Sequence, residues 1–290
     1  MRIEWYPGHM TKAKRMMLDN IKLIDLVIEL VDARIPISSR NPDIDEMAKG
    51  RSRIVLLNKS DLADPVKNDE WIKYFTDKSM IAVPLDSRNR KGFGLITSAI
   101  EKACAAKRER DRKKGITGRP VRAMVVGIPN VGKSTFINTL CKSAAAKTGN
   151  KPGVTKGKQW IRLNGNVELL DTPGILWPKL GDEKTGLGLA YIGSINDEIL
   201  DETELALNLM GTVRSLYPGK LFERFEADEE EAAPVMLEKI AGRRGCLKKG
   251  GIVDTQKAAR IVLDEFRAGK LGRITLEMPF EAEGSTGGKA

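Results

Sequence analysis

The tetrad Asn58-Lys59-Ser60-Asp61 stands before the glycine-rich loop Gly127-Ile128-Pro129-Asn130-Val131-Gly132-Lys133-Ser134, and Asp171-Thr172-Pro173-Gly174 comes last. That order is the strongest constraint on what this chain can fold into. Each segment is the kind of loop that follows a buried strand in an open parallel sheet. Ligands of such sheets bind at the carboxyl ends of the strands. The more familiar order begins with the glycine-rich loop and ends with the tetrad. Here the chain must enter the sheet partway round. The strand ends keep their places while the connections between them are cut and rejoined.

Apolar runs at 26–31, 54–57, 80–85 and 123–126 have the length and composition of buried parallel strands. The second runs into Asn58, the third into Asp86-Ser87 and the fourth into Gly127. Helices fit at 11–19, 69–75, 95–112 and from Lys133 onward. Runs at 159–163 and 167–170 flank Asn164-Gly165-Asn166, a strong hairpin signal. This alternation predicts an α/β domain over 1–178, a mostly parallel sheet flanked by helices.

After Trp177-Pro178 the period-two runs stop. Helical spacing recurs at 202–215, 232–241 and 255–268, with Asp254 placed to cap the last and Gly269 just past its end. An all-α domain over 179–290 is expected, its tail frayed from Glu281. Helical residues 107–114 (KRERDRKK) read as a solvated helix end.

The charge balance is Lys+Arg 49 against Asp+Glu 39, net +10. A basic surface of that size suits a polyanion, nucleic acid ahead of membrane, although charge tuned for solubility gives the same number. Three scattered cysteines, Cys104, Cys141 and Cys246, argue against a disulfide framework and a zinc site. The apolar run 21–31 is broken by Lys22, Asp25 and Glu29, so no bilayer span is expected. A cytoplasmic protein without a membrane partner follows, and a monomer is expected.

The loop from Gly127 to Ser134 matches G-x-x-x-x-G-K-[ST] with a strand before and a helix after. Its backbone N–H groups from Asn130 through Val131, Gly132, Lys133, Ser134 and Thr135 would face phosphate at the positive end of a helix. Lys133 would bridge β- and γ-phosphate oxygens, and Ser134 would ligate Mg²⁺. Asp171 would hold Mg²⁺ through water, Thr155 would offer its hydroxyl to the same ion, and the Gly174 N–H would reach the γ-phosphate. The tetrad selects the base. A carboxylate at Asp61 can accept from guanine N1–H and the N2 amino group, and adenine offers no such pair. Lys59 would lay its aliphatic stem over the base. Ser87, in Asp86-Ser87-Arg88, fits the loop that meets guanine O6. GTP and GDP are the expected ligands, and a small-molecule kinase is a poor reading.

These motifs in this order, with Pro152-Gly153-Val154-Thr155 and an N-terminal Trp5-Tyr6-Pro7-Gly8-His9-Met10, resemble the circularly permuted GTPases of the ribosome biogenesis GTPase A (YlqF/RbgA) type. The resemblance covers the GTPase domain fully and the helical domain in outline. It implies GTP hydrolysis during late assembly of the large ribosomal subunit, with ribosomal RNA bound in part by the helical domain. A glutamine directly after the DxxG motif orients water in the phosphoryl-transfer template. Ile175 stands there and cannot do so. The resemblance gives that place to His9, which on its own reads as an ordinary turn histidine. It also makes Asn130 a potassium ligand, so that K⁺ would supply charge near the β–γ bridge as an arginine finger does.

Two basic, glycine-bearing stretches, 147–158 and 242–251, are the expected RNA contacts. Aromatic residues do not interleave with them, so shape and backbone are the expected features read. The alternative is a GTP switch that meets protein partners only. Its partner would survive nuclease treatment. Either way, the DTPG segment lies just before the helical domain and is expected to pull on it when the γ-phosphate is lost.

Overall fold

Strand β1 (Leu26–Asp32) is buried at every position and forms the axis of a six-stranded sheet. It pairs in parallel with β2 (Ser52–Asn58) on one side and β4 (Val121–Gly127) on the other. Beyond these lie β3 (Ile81–Leu85) and β6 (Val167–Asp171), also parallel, and β5 (Trp160–Leu163) closes the edge antiparallel to β6. The order is β3-β2-β1-β4-β6-β5. A strand buried on both faces tolerates a charge only when it is paired. Glu29 in β1 meets Arg40 at 3.1 Å and Arg53 at 2.9 Å.

The computed structural model describes residues 8–148, 160–163, 167–172, 176, 182–196 and 200–279. At 8–10, 12, 13, 142–148, 163 and 171 it describes the backbone alone.

Helices α1 (Gly8–Ile21), α2 (Asp43–Met47), α3 (Pro65–Asp77), α4 (Phe93–Ala103), α5 (Ala105–Lys113) and α6 (Lys133–Thr148) accompany the sheet. Asp64 caps α3 by accepting from the N–H groups of Val66 and Lys67, and Pro65 fits the first turn. The single helix expected over 95–112 is two. Cys104 leaves helical geometry at φ −101°, ψ 6°. The reason is burial: α4 seats Ile96, Ala99 and Ile100 in the core, whereas α5 has no buried residue.

The later half holds α7 (Glu183–Tyr191), α8 (Glu202–Leu216), α9 (Lys220–Phe225), α10 (Ala233–Arg243) and α11 (Thr255–Arg267). No strand follows β6 among the described residues. In α11 the residues Ala258, Ala259, Val262, Leu263 and Phe266 face inward, Asp254 accepts from the Lys257 N–H, and Gly269 turns at φ +75°. The boundary expected at 178/179 and the tail from Glu281 lie outside the described residues. The three cysteines are free thiols, two of them buried. No helix among the described residues is long and apolar enough to cross a membrane.

After α11 the chain returns to the sheet half. The Ile274 N–H donates to Leu62 O at 3.1 Å, and the Leu276 N–H donates to Arg34 O at 2.8 Å. Trp71 Nε1 donates to Glu277 O at 3.1 Å. The Glu277 carboxylate accepts from the N–H groups of Ile37 and Ser38 at 2.8 and 3.0 Å. Burial pushes that carboxyl up, and these donors offset part of the rise.

Candidate nucleotide site

Three loops leave the carboxyl ends of β2, β3 and β4 and are stitched together by one amide. Asn58 ends β2 and is 2% exposed. Its Nδ2 donates to Val131 O in the glycine-rich loop at 2.7 Å. Its Oδ1 accepts from Ser87 N at 3.2 Å and Ser87 Oγ at 2.8 Å. Asn58 therefore faces protein on both sides and sets the distance between the loops. Asp86 shapes the β3 loop from within, accepting from the N–H groups of Arg88 and Asn89 and from the Asn89 amide. Burial alone would raise its carboxyl, and those donors hold it below the ordinary range.

The glycine positions of the β4 loop have steric causes. A Cβ at Gly127 would sit 2.9 Å from Leu30 O and 3.0 Å from Val131 Cγ1. Gly132 adopts φ +97°, and a Cβ there would collide with the Asn58 amide. Asn130 is left-handed at φ 58°, a conformation asparagine tolerates better than most residues. Val131 is buried, Lys133 is 8% exposed, and Ser134 and Thr135 face outward at the first turn of α6.

Lys59 turns left-handed at φ 59°. Its Nζ donates to Asn130 O at 2.9 Å and pairs with Asp32 Oδ2 at 2.9 Å. The Ser60 N–H donates to Leu85 O, and Asn68 Nδ2 donates to Ser60 O. Asp61 stays partly open beside this frame. Burial pushes its carboxyl up, and nearby Asp86 adds to the rise.

Asp171 ends β6 opposite Val125 on β4, so its backbone lies at the same sheet edge as the glycine-rich loop. Thr172 is buried and donates from Oγ1 to Val125 O at 2.6 Å. Exposed Ser134 and the acid at 171 are hard oxygen donors, which suits Mg²⁺. His9 lies in the first turn of α1, and its side chain is outside the described atoms. Thr155 and Gly174 lie outside the described residues, as does the link through which the DTPG segment was expected to pull on the helical half.

The sequence reading missed two parts of this frame. Asp32 and Arg34, at the end of β1, form a buried pair against Lys59. Two charges at the carboxyl end of an apolar strand were the available signal. Gly193 and Ser194, just past α7, touch the glycine-rich loop. Asn130 Nδ2 donates to Gly193 O at 2.6 Å, and Ser194 Oγ donates to Pro129 O at 2.8 Å. Arg267 at the end of α11 donates to the carbonyls of Ala190 and Tyr191 behind them. Nothing in the local sequence marks these contacts.

The basic stretch 242–251 also reads differently in space. Arg243 donates to the carbonyls of Phe225 and Glu226 at the end of α9. Arg244 lies over the Phe225 ring at 5.4 Å and pairs with Glu265 at 3.4 Å. Lys248, Lys249, Gly250 and Gly251 remain on the surface, beside exposed Leu247 and Ile252.

A six-stranded sheet with a phosphate-type loop after β4 and a guanine-type tetrad after β2 defines a circularly permuted phosphate-loop GTPase. A family model described as "50S ribosome-binding GTPase" matches residues 122–236, a span that begins in β4 and excludes the tetrad. Ribosome biogenesis GTPase A of Priestia megaterium is 48% identical over 285 residues, 98% of this chain and 99% of the relative. Its Thermotoga maritima counterpart is 34% identical over 96% of this chain and 95% of the relative. Among solved structures, GNP-bound YlqF from T. maritima is similar with a TM-score of 0.65 and 29% identity, covering 92% of this chain and 98% of that one. The chain belongs to the ribosome biogenesis GTPase A family and is a GTPase.

Proposed function

We propose that the protein acts in late assembly of the large ribosomal subunit, binding ribosomal RNA on the particle and using GTP hydrolysis as the switch for release. The observation that carries this reading is the convergence of the three loops on Asn58 at one sheet edge, in a chain whose relatives are named for ribosome biogenesis. Its site of action is the cytoplasm, as a monomer with a GTPase domain over 1–178 and a helical, RNA-binding domain over 179–290.

In this reading Lys133 binds β- and γ-phosphate oxygens from the first turn of α6, aided by backbone N–H groups of residues 130–135. Asp61 accepts from the guanine edge, Lys59 covers the base, and Ser87 borders it. Mg²⁺, held by Ser134, Thr155 and, through water, Asp171, would neutralise charge on the phosphates. Water attacks the γ-phosphorus, the bond to the bridging oxygen breaks, and GDP leaves with phosphate. His9 orients that water, since Ile175 cannot. The Asn130 amide nitrogen is turned to Gly193 O, which leaves its Oδ1 as the atom for K⁺. Loss of the γ-phosphate frees the Gly174 N–H.

Sedimentation on large-subunit particles with GDP or a non-hydrolysable GTP analogue tests the proposal. Binding should favour the analogue and weaken steeply with salt. Equal binding with either nucleotide, indifferent to salt, would overturn it.

A further inference from the structure

Asp32 is fully buried at the carboxyl end of β1, and the Arg34 side chain is 1% exposed. The guanidinium grips the carboxylate with two bonds, Nε to Oδ1 at 2.9 Å and Nη2 to Oδ2 at 2.8 Å. The Arg34 N–H also donates to Oδ1, at 3.1 Å. Lys59 Nζ lies 2.9 Å from Oδ2. One carboxylate thus stands between two cations, and backbone carbonyls on the far sides accept from those cations. Lys59 donates to Asn130 O at 2.9 Å. Arg34 Nη1 donates to the carbonyls of Phe266 and Arg267, both at 3.4 Å. Those carbonyls end α11, where the helix dipole favours a cation. Arg34 also lies over the Phe266 ring at 5.2 Å.

A buried charge group of this kind is weak evidence for stability, because apolar side chains of like volume fill such space as well. What it supplies is a fixed geometry. A lysine at the rim of a pocket samples many rotamers unless its ammonium is held. Here the ammonium is held at two points, and the stem between Cα and Nζ must follow. The anchor is itself held on several sides, since Arg34 clamps Asp32 bidentately and is in turn bonded to the end of α11 and to Leu276, whose N–H donates to Arg34 O at 2.8 Å.

We propose that Asp32 and Arg34 are positioning residues for guanine nucleotide binding, with Arg34 fixing the Asp32 carboxylate and Asp32 fixing the Lys59 ammonium so that the Lys59 stem is set in place before the base arrives. The proposal rests on the reading of Lys59 as the residue that covers the base. It also makes the last turn of α11 part of the frame of the nucleotide site, because Arg34 takes its orientation from Phe266.

The test is a double-mutant cycle in the full-length protein, read as the Kd for fluorescently labelled GDP. Lys59→Met and Arg34→Met should each raise the Kd on the order of tenfold, and the double variant should bind no more weakly than Lys59→Met alone. Arg34→Lys keeps the charge and loses the bidentate fork, and should recover part of the loss. An unchanged Kd in Arg34→Met, or effects that multiply in the double variant, would overturn the proposal. An unchanged Kd in Lys59→Met would also overturn it, since that variant loses the ammonium and keeps the stem. An unchanged Kd in Lys59→Ala, which removes the stem, would instead sink the reading of Lys59 itself. Should Arg34→Met not fold, Phe266→Leu removes the ring and leaves the ion pair. It should raise the Kd about threefold in the wild type and not at all in Lys59→Met, and no change in the wild type would refute the link.

Discussion

Asn58 Nδ2 donates to the carbonyl of Val131 at 2.7 Å, joining the tetrad to the glycine-rich loop across a rearranged order. In the more familiar order the same two loops arrive from opposite ends of a domain. Here they arrive from strands on either side of β1, and the bond is independent of how the strands are connected. Asn58→Ala would remove this bond and leave the Ser87 N–H without its acceptor. Buried groups left so cost about 1–3 kcal/mol each. The variant should lose roughly 3 kcal/mol in chemical unfolding without nucleotide, and its GDP affinity should fall as well. Unchanged stability would show that the loops hold their spacing without the amide.

Acid should loosen the frame through Asp32. Burial alone would push this carboxyl up, but Arg34 and Lys59 together hold it well below its ordinary value. The folded state therefore binds the proton less readily than the unfolded one. The resulting stability is fully present above the ordinary value of 3.8 and is lost as pH falls below it. Asp32→Asn should flatten the acid limb of the stability–pH curve. It should also cost about 3–5 kcal/mol at neutral pH, because it strands Arg34. An acid limb as steep in the variant as in the wild type would assign the effect to other groups.

Potassium should raise GTP turnover above the rate in sodium if Asn130 Oδ1 serves as a cation ligand, and Asn130→Ala should remove the difference. Equal rates in the two salts would exclude that role.

The loop between α10 and α11 separates two kinds of basic residue. Lys248→Ala with Lys249→Ala should leave thermal unfolding in place and reduce the salt slope of particle binding by roughly 1.5 to 2. Arg244→Ala should do the reverse. It withdraws a cation from Glu265 and from the Phe225 ring, so the unfolding temperature should drop. A salt slope unmoved by the lysine changes would place the RNA contact elsewhere.

Much of this architecture was legible in the sequence, because its signals are local. Four buried strands show as apolar runs, and each of three ends in a motif. Asn-Gly marks the hairpin of β5 and β6, and Asp254 announces α11 by its cap. Signals that depend on distant partners were not legible. Helix α7 is rich in glycine, which disfavours a helix on propensity. Gly188 nevertheless lies against Ile35 and Ser38, and packing there decides the conformation. Short α9 has too few residues to display a period. The Leu95-to-Arg112 region reads as one helix because the break at Cys104 comes from where burial ends, not from a breaking residue. Asp32 and Arg34 read as the end of a strand, since their meaning depends on Phe266, 232 residues from Arg34.

The base-reading role of Asp61 is the claim on which the rest stands, and one exchange tests it. Guanine presents two donors to a carboxylate, whereas xanthine presents a donor and an acceptor, which suits an amide. Kd values for GDP and XDP should be measured by calorimetry on the wild type and on Asp61→Asn. The account predicts that the wild type prefers GDP on the order of a thousandfold and that the variant reverses the preference. A wild type that binds both alike, or a variant that still prefers GDP, would contradict it.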